Sequence, residues 1–170
     1  MAAKQLLLLR HGKSSHDDHD LADRKRPLAP RGERAAAAIG RYMREHDLAP
    51  RLVLCSSATR ARQTLDRVAA ELGASPDVRI EPDLYKASAG GLLERLRRIR
   101  DEVPSAMLVG HNPAIERLAL DLATAGADLN DLARKYPTGA LAVIAFDRSW
   151  SELDADGARL VAFVKPRDLE

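Results

Sequence analysis

The chain has 170 residues with a formal net charge of +2, 45% of them apolar and 31% charged, which excludes intrinsic disorder and suits a single soluble globular domain. The near-balance of basic and acidic residues argues against a dedicated nucleic-acid binder. A single cysteine, Cys55, excludes a disulfide framework and a four-cysteine zinc site.

Apolar runs alternate with amphipathic stretches along the chain. Gln5–Arg10 reads as a short strand buried on both faces. Its run Leu6–Leu9 is too short for a signal-peptide core or a membrane span, so the expectation is a cytoplasmic protein with no membrane partner. The polar segment Gly12–Pro30 reads as a loop. Helical spacing follows over Gly32–His46, then a strand at Arg51–Ser56 and a helix at Thr59–Leu72 closed by Gly73. Val78–Ile80 is a weak third strand, and Leu92–Val103 has helical core spacing, its arginines 95, 97, 98 and 100 facing solvent. Ala106–Val109 is a fourth strand. Asn112 and Pro113 are suited to open the next helix, expected to end at Thr124. Ala140–Phe146 and Arg159–Val164 close the pattern as strands joined by a polar turn. This order predicts a three-layer α/β/α fold in one domain, 1–170, with a mostly parallel six-stranded sheet and an antiparallel element near the C-terminus. A monomer is expected.

Open α/β sheets bind ligands at the carboxyl ends of their strands. Three such ends carry reactive residues: Arg10-His11-Gly12, Cys55-Ser56-Ser57 with Arg60 and Arg62 just beyond, and Gly110-His111-Asn112. Two arginines near a helix N-terminus suit a dianion, because guanidinium forks match phosphate oxygens. A neutral imidazole is a competent nucleophile toward phosphorus, and a second can donate to the phosphoryl oxygens as charge redistributes. The set points to phosphoryl transfer through a phosphohistidine, with no metal and no cofactor.

At these residues the chain resembles the histidine phosphatase superfamily. Arg10-His11-Gly12 is similar to its RHG motif, Arg60-Ala61-Arg62-Gln63-Thr64 to its RAxQT segment, and Gly110-His111-Asn112-Pro113 to its second histidine motif. The short length and Arg26-Pro27-Leu28 ahead of Arg31-Gly32 resemble the SixA-like branch of small phosphohistidine phosphatases. The resemblance implies a phosphoglycerate mutase-like fold. It makes His11 the nucleophile, has Arg10 and Arg60 hold the phosphoryl oxygens, and completes the pocket with His111; Ser14 is a further candidate phosphate donor. The implied partner is a phosphorylated substrate, either a phosphohistidine-bearing protein or peptide or a small phosphate monoester. Larger mutase-like members place a glutamate proton donor after the equivalent of Asp83-Leu84, where this chain has Tyr85-Lys86. They also place an asparagine where this chain has Asp17, whose charge would repel a dianion. The proton donor is left open among His111, Asp17, Asp18 and solvent.

Three rivals compete with that reading. A metal-dependent phosphoesterase could use the cluster His16-Asp17-Asp18-His19-Asp20, although adjacent loop residues rarely aim at one point. A cysteine phosphatase needs five residues between its cysteine and arginine, whereas Cys55 is followed by four before Arg60 and six before Arg62. A non-catalytic phosphate-binding module would have no use for paired imidazoles.

Overall fold

The computed structural model describes residues 3–170. Strand β1 (Lys4–Arg10) lies inside a six-stranded sheet with β2 (Leu52–Ser56), β3 (Asp77–Glu81), β4 (Ser105–Gly110), β5 (Leu141–Phe146) and β6 (Ala158–Val164). The strand order is β3-β2-β4-β1-β5-β6. Parallel pairs join β1 to β4, β4 to β2 and β2 to β3, while β5 pairs antiparallel with both β1 and β6. Only β5 therefore runs against the other strands. The short polar connection into β6 permits no helical crossover, so β6 can pair with β5 only by a reversal.

Helices cover both faces. Leu7 and Leu9 of β1 join the core under α1 (Pro30–Glu45) and α2 (Thr59–Leu72). Leu6 and Leu8 join the opposite core, with α3 (Ala89–Arg97), α4 (Ala114–Leu122) and α5 (Leu129–Arg134). This alternation is the two-residue period of a strand buried on both sides. β3 is the exposed edge, where charged Asp77, Arg79 and Glu81 alternate with Val78 and Ile80, a pattern that discourages pairing with a further strand.

Several expected boundaries shift. α1 begins at Pro30, whose fixed φ and missing N–H suit the first turn. α3 spans Ala89–Arg97 rather than Leu92–Val103. It starts early because the Ser88 hydroxyl accepts the Gly91 N–H at 3.1 Å. It ends at Arg97, where the Arg98 and Ile99 N–H groups tighten onto the carbonyls three residues back, of Arg95 and Leu96, and Val103, outside the helix, accepts the Trp150 indole N–H at 2.7 Å. The arginine run is not a simple solvated face: Arg95 forms a bidentate pair with Glu81 at 2.7 and 2.9 Å, and Arg97 donates twice to the Leu153 carbonyl. α4 ends at Leu122, two residues before the expected Thr124. α5 escapes a periodicity reading because it is six residues long with only Leu132 buried.

The segment between Gly12 and Pro30 is a pinned loop. Ser14 and Leu28 form an antiparallel bridge, and Leu28 N–H donates to Gln63 Oε1 at 2.8 Å. A short 3₁₀ turn occupies Asp23–Lys25. Beneath the loop, Gly12 and Gly32 bring two backbones into contact. A Cβ on Gly32 would lie 2.2 Å from the Lys13 carbonyl oxygen, and one on Gly12 would lie 2.8 Å from the Gly32 oxygen. Gly32→Ala should therefore destabilise the fold by about 1–3 kcal/mol, the range for forcing extra volume into a packed contact. Gly90→Ala, whose Cβ meets nothing nearer than 3.8 Å, should stay within about 0.5 kcal/mol. Urea unfolding midpoints compare the two directly.

Candidate active site

The parallel register pairs Arg10 with Gly110, so His11 and His111 are the next residues out of adjacent strands. Their ring centroids are 5.1 Å apart. His11 is 7% exposed, and its Nδ1 lies 2.7 Å from the Gly12 carbonyl oxygen. Since a carbonyl can only accept, Nδ1 carries the proton of the neutral ring and Nε2 keeps its lone pair. Arg60 Nε–H donates to that lone pair at 3.4 Å. Burial, together with the charges of His111, Arg60 and Arg10, pushes the His11 imidazole down to about 3.

The other members come from neighbouring strand ends. His111 Nε2 is 2.7 Å from Ser56 Oγ, which also accepts the Ala58 N–H at 3.2 Å. Burial and then Arg60 hold His111 down to about 4. Arg10 Nη1 donates to the Tyr136 carbonyl at 2.8 Å, an oxygen it shares with Asn112 Nδ2 at 3.2 Å. Desolvation lowers the Arg10 pKa. Asn112 Oδ1 accepts the Glu116 N–H, so it caps α4 across Pro113. The first helix residue thus falls at Ala114.

The α2 segment has a structural reason for each of its residues. Arg60 is buried against His11, Gln63 holds Leu28, and Thr64 Oγ1 accepts the Gly12 N–H at 3.0 Å while donating to the Arg60 carbonyl at 2.7 Å. Thr64 therefore ties the turn after His11 to the helix that carries Arg60. Arg62 is exposed. Ser14 Oγ accepts Arg26 Nη1 at 3.0 Å, which leaves its own O–H available to donate.

Asp23, which carries no sequence signal, and Tyr85, which stands where larger mutase-like members have a glutamate, complete the surroundings. The Asp23 carboxylate accepts Arg60 Nη2 at 3.1 Å, two bonds from Arg26, and a short hydrogen bond from the Tyr85 hydroxyl. The Asp23 carbonyl accepts Arg60 Nη1 at 2.8 Å. Tyr85 stands edge-on to His111 at 5.3 Å. Asp17 and Asp18 are exposed.

Among the described residues, three buried side-chain polar atoms lack any partner: Arg10 Nε, Ser57 Oγ and His111 Nδ1. All three belong to the carboxyl ends of β1, β2 and β4, around the histidine pair. Buried polar atoms are nearly always paired, so three orphans at neighbouring strand ends suit an oxygen-rich ligand that accepts from them. The rival sites lack such geometry. Cys55 is fully buried, and its thiol is pushed up to about 12 by burial. His16 faces Arg26, and among the described residues no three of His, Cys, Asp and Glu converge to hold a metal ion.

The family described as histidine phosphatase superfamily (branch 1) matches residues 6–145. The chain belongs to the histidine phosphatase superfamily. An uncharacterized protein of Mycobacterium tuberculosis strain H37Rv is 39% identical over 163 residues, covering 94% of this chain and 100% of that one. The structure of a candidate SixA phosphohistidine phosphatase from Nakamurella multipartitia superimposes with a TM-score of 0.85 at 31% identity, covering 98% of both chains. Another from Agrobacterium tumefaciens gives 0.82 at 29% identity, covering 98% of this chain and 100% of that one. The superfamily member is thus similar to the SixA-like branch, with a phosphoglycerate mutase-like fold. No helix among its described residues is long and apolar enough to cross a membrane.

The depressed histidines carry a stability signature. An unfolded imidazole titrates near 6.5, so between about pH 6.5 and pH 4 the unfolded chain binds protons that folded His11 and His111 refuse. Stability is full above that window and falls through it, by about 1.4 kcal/mol per pH unit for each histidine. His111→Asn should flatten the decline measured by urea unfolding at stepped pH. The imidazole resonances of both residues should remain those of neutral rings down to about pH 4.

Proposed function

We propose that the chain acts as a single-domain phosphohistidine phosphatase, with His11 as nucleophile. The observation that supports this most directly is a neutral imidazole whose lone pair faces the Arg60 guanidinium, with unpartnered buried donors at the neighbouring strand ends. In this reading a phosphoryl group enters against His11 Nε2. Arg60 Nε then turns from the imidazole to a phosphoryl oxygen, joined by Arg10 Nε and by the Nδ1–H of His111. The N–P bond to His11 forms as the bond from phosphorus to the leaving atom breaks. Water then attacks the phosphorylated imidazole, giving inorganic phosphate and restoring neutral His11. Arg10 and Arg60 supply the positive charge, so the reaction requires no metal ion.

The choice of phosphohistidine over an alkyl phosphate rests on the absence of an acid suited to neutral pH. Asp23 is held well below the usual carboxylate range by the Tyr85 hydroxyl and then by Arg26 and Arg60. Tyr85 is raised by that same hydrogen bond, and His111 is depressed. Expelling an alkoxide needs a proton in the transition state, a contribution of about 10²–10⁴-fold. A leaving imidazole takes up its proton near neutrality beforehand. SixA neighbours that carry phosphohistidine phosphatase in their names are consistent with this preference.

Rapid quenching during turnover should trap an acid-labile, base-stable phosphoryl group on His11, and His11→Ala should lose both label and activity. Full activity in that variant would sink the assignment. Activity should survive EDTA, and His16→Ala with His19→Ala should cost little. Across aryl phosphates of graded acidity, kcat/KM should fall steeply as leaving-group pKa rises, and a phosphohistidine peptide should outpace a sugar phosphate. A flat dependence would mean that an efficient acid is present.

The arginines should separate cleanly. Arg60→Ala should lower kcat/KM by about 10²–10³, the scale for one preorganised donor. Arg60→Lys should rescue poorly, because an ammonium cannot reproduce the fork. Arg62→Ala should be tolerated, and comparable damage there would contradict the helix register.

A further inference from the structure

A cavity of about 830 Å³ lies between the start of α1, α5 with the loop that follows it, and the 3₁₀ turn Pro166–Leu169. Its lining reaches the chain segments next to the site in two places. Lys13, one of its lining residues, is two positions beyond His11. On the other side, Pro137 and Thr138 precede Gly139, whose N–H donates to the carbonyls of Arg10 and His11 at 3.0 and 2.9 Å.

The lining is dominated by one sign of charge. Lys13, Arg31, Arg34, Arg134, Lys135 and Arg167 are all exposed and carry no salt bridge among the described residues. The acids in the lining are Asp131, which Lys165 holds at 2.9 Å and whose charge is also felt by Arg134 and Arg167, and Glu170. In a chain whose net charge is only +2, six free cations around one opening are a strong local concentration. The loop that continues from Lys13 bears exposed Asp17, Asp18 and Asp20, and it packs toward Tyr85 and α2 through Asp23. The basic groups are gathered instead on α1, α5 and the C-terminal turn.

We infer that this basic groove docks an acidic segment of the phosphorylated protein substrate. The inference rests on the phosphatase reading above and names the kind of protein it acts upon. Small-molecule sites are mostly apolar, with a few precisely placed polar groups. Here the cationic tips stand in water on long side chains from several elements, which suits attraction and orientation of an extended acidic chain. The segment would run from the phosphorylated residue at His11, past Lys13, and along the faces of α1 and α5.

The test uses paired phosphohistidine peptides of equal length, one flanked by Asp and Glu and one by Ser and Gln. The acidic peptide should be preferred in kcat/KM by about 10-fold or more at low salt, and the preference should shrink as ionic strength rises. The triple variant Arg34→Glu/Arg134→Glu/Arg167→Glu should lose the preference while keeping wild-type activity on p-nitrophenyl phosphate. Equal rates for both peptides with the wild-type protein overturn the inference without any variant. Fluorescence anisotropy with an unphosphorylated acidic peptide supplies a reading independent of phosphohistidine chemistry. Binding that the triple variant weakens supports the groove, and absence of binding overturns it. Displacement of that peptide by lower concentrations of tripolyphosphate or of a single-stranded oligonucleotide also overturns it, in favour of those ligands. If neither phosphopeptide is hydrolysed while p-nitrophenyl phosphate is, the phosphohistidine reading fails and the anisotropy result alone decides the groove.

Discussion

Register between β1 and β4 is the constraint on which the site depends. Parallel pairing of Arg10 with Gly110 brings His11 and His111 out of the sheet side by side, 5.1 Å apart. A slip of one residue would turn every side chain of one strand to the opposite face. It would also exchange the Leu7–Leu9 and Leu6–Leu8 sets between the two helical layers. The cost of that exchange is spread over two cores, so the imidazole geometry is enforced by leucines far from any chemistry. Adjacent strand ends then supply the rest: Ser56 from β2 orients His111, and the turn before β5 offers the Tyr136 carbonyl to Arg10.

Charge placement follows from that crowding. Arg10 and Arg60 are brought close to two imidazoles in a buried place, where like charge and desolvation both work against protonation. The histidines respond by staying neutral, which leaves His11 Nε2 with its lone pair. A dianion entering the same space would reverse the balance, since opposite charge favours the protonated ring. Deep depression before binding and recovery upon it are two consequences of one arrangement.

Much of this was legible in the chain, for identifiable reasons. Continuous apolar runs ending in Arg-His or Gly-His mark β1 and β4, because a strand buried on both faces has no polar positions until it leaves the sheet. α2 was readable to the residue, since its apolar stripe and closing Gly73 agree. What could not be read depends on long-range contact. Asp23 sits in a charge-rich loop and resembles its neighbours Asp17, Asp18 and Asp20; only folding brings it to Arg60 and Tyr85. Arg95 and Arg97 look like solvent-facing charges, yet each finds a distant acceptor. α5 is too short for periodicity, and α3 tightens to i−3 hydrogen bonds just past Arg97 although apolar spacing continues to Val103.

The Asp23 contact raises the question of whether Arg60 is blocked by its own counterion. A guanidinium has five N–H donors in a rigid fork. Asp23 takes one from Nη1 through its carbonyl and one from Nη2 through its carboxylate. The Nε–H, now resting on His11, is released once that lone pair engages phosphorus. The carboxylate therefore holds the outer edge of the fork and leaves the inner edge for the ligand. Its own charge is anchored by Tyr85 and Arg26, which limits its pull on Arg60. An acid so strongly held as its anion is a poor proton donor. The contact that orients the arginine thus also removes the most obvious candidate for protonating a leaving group, which favours substrates that carry their own proton.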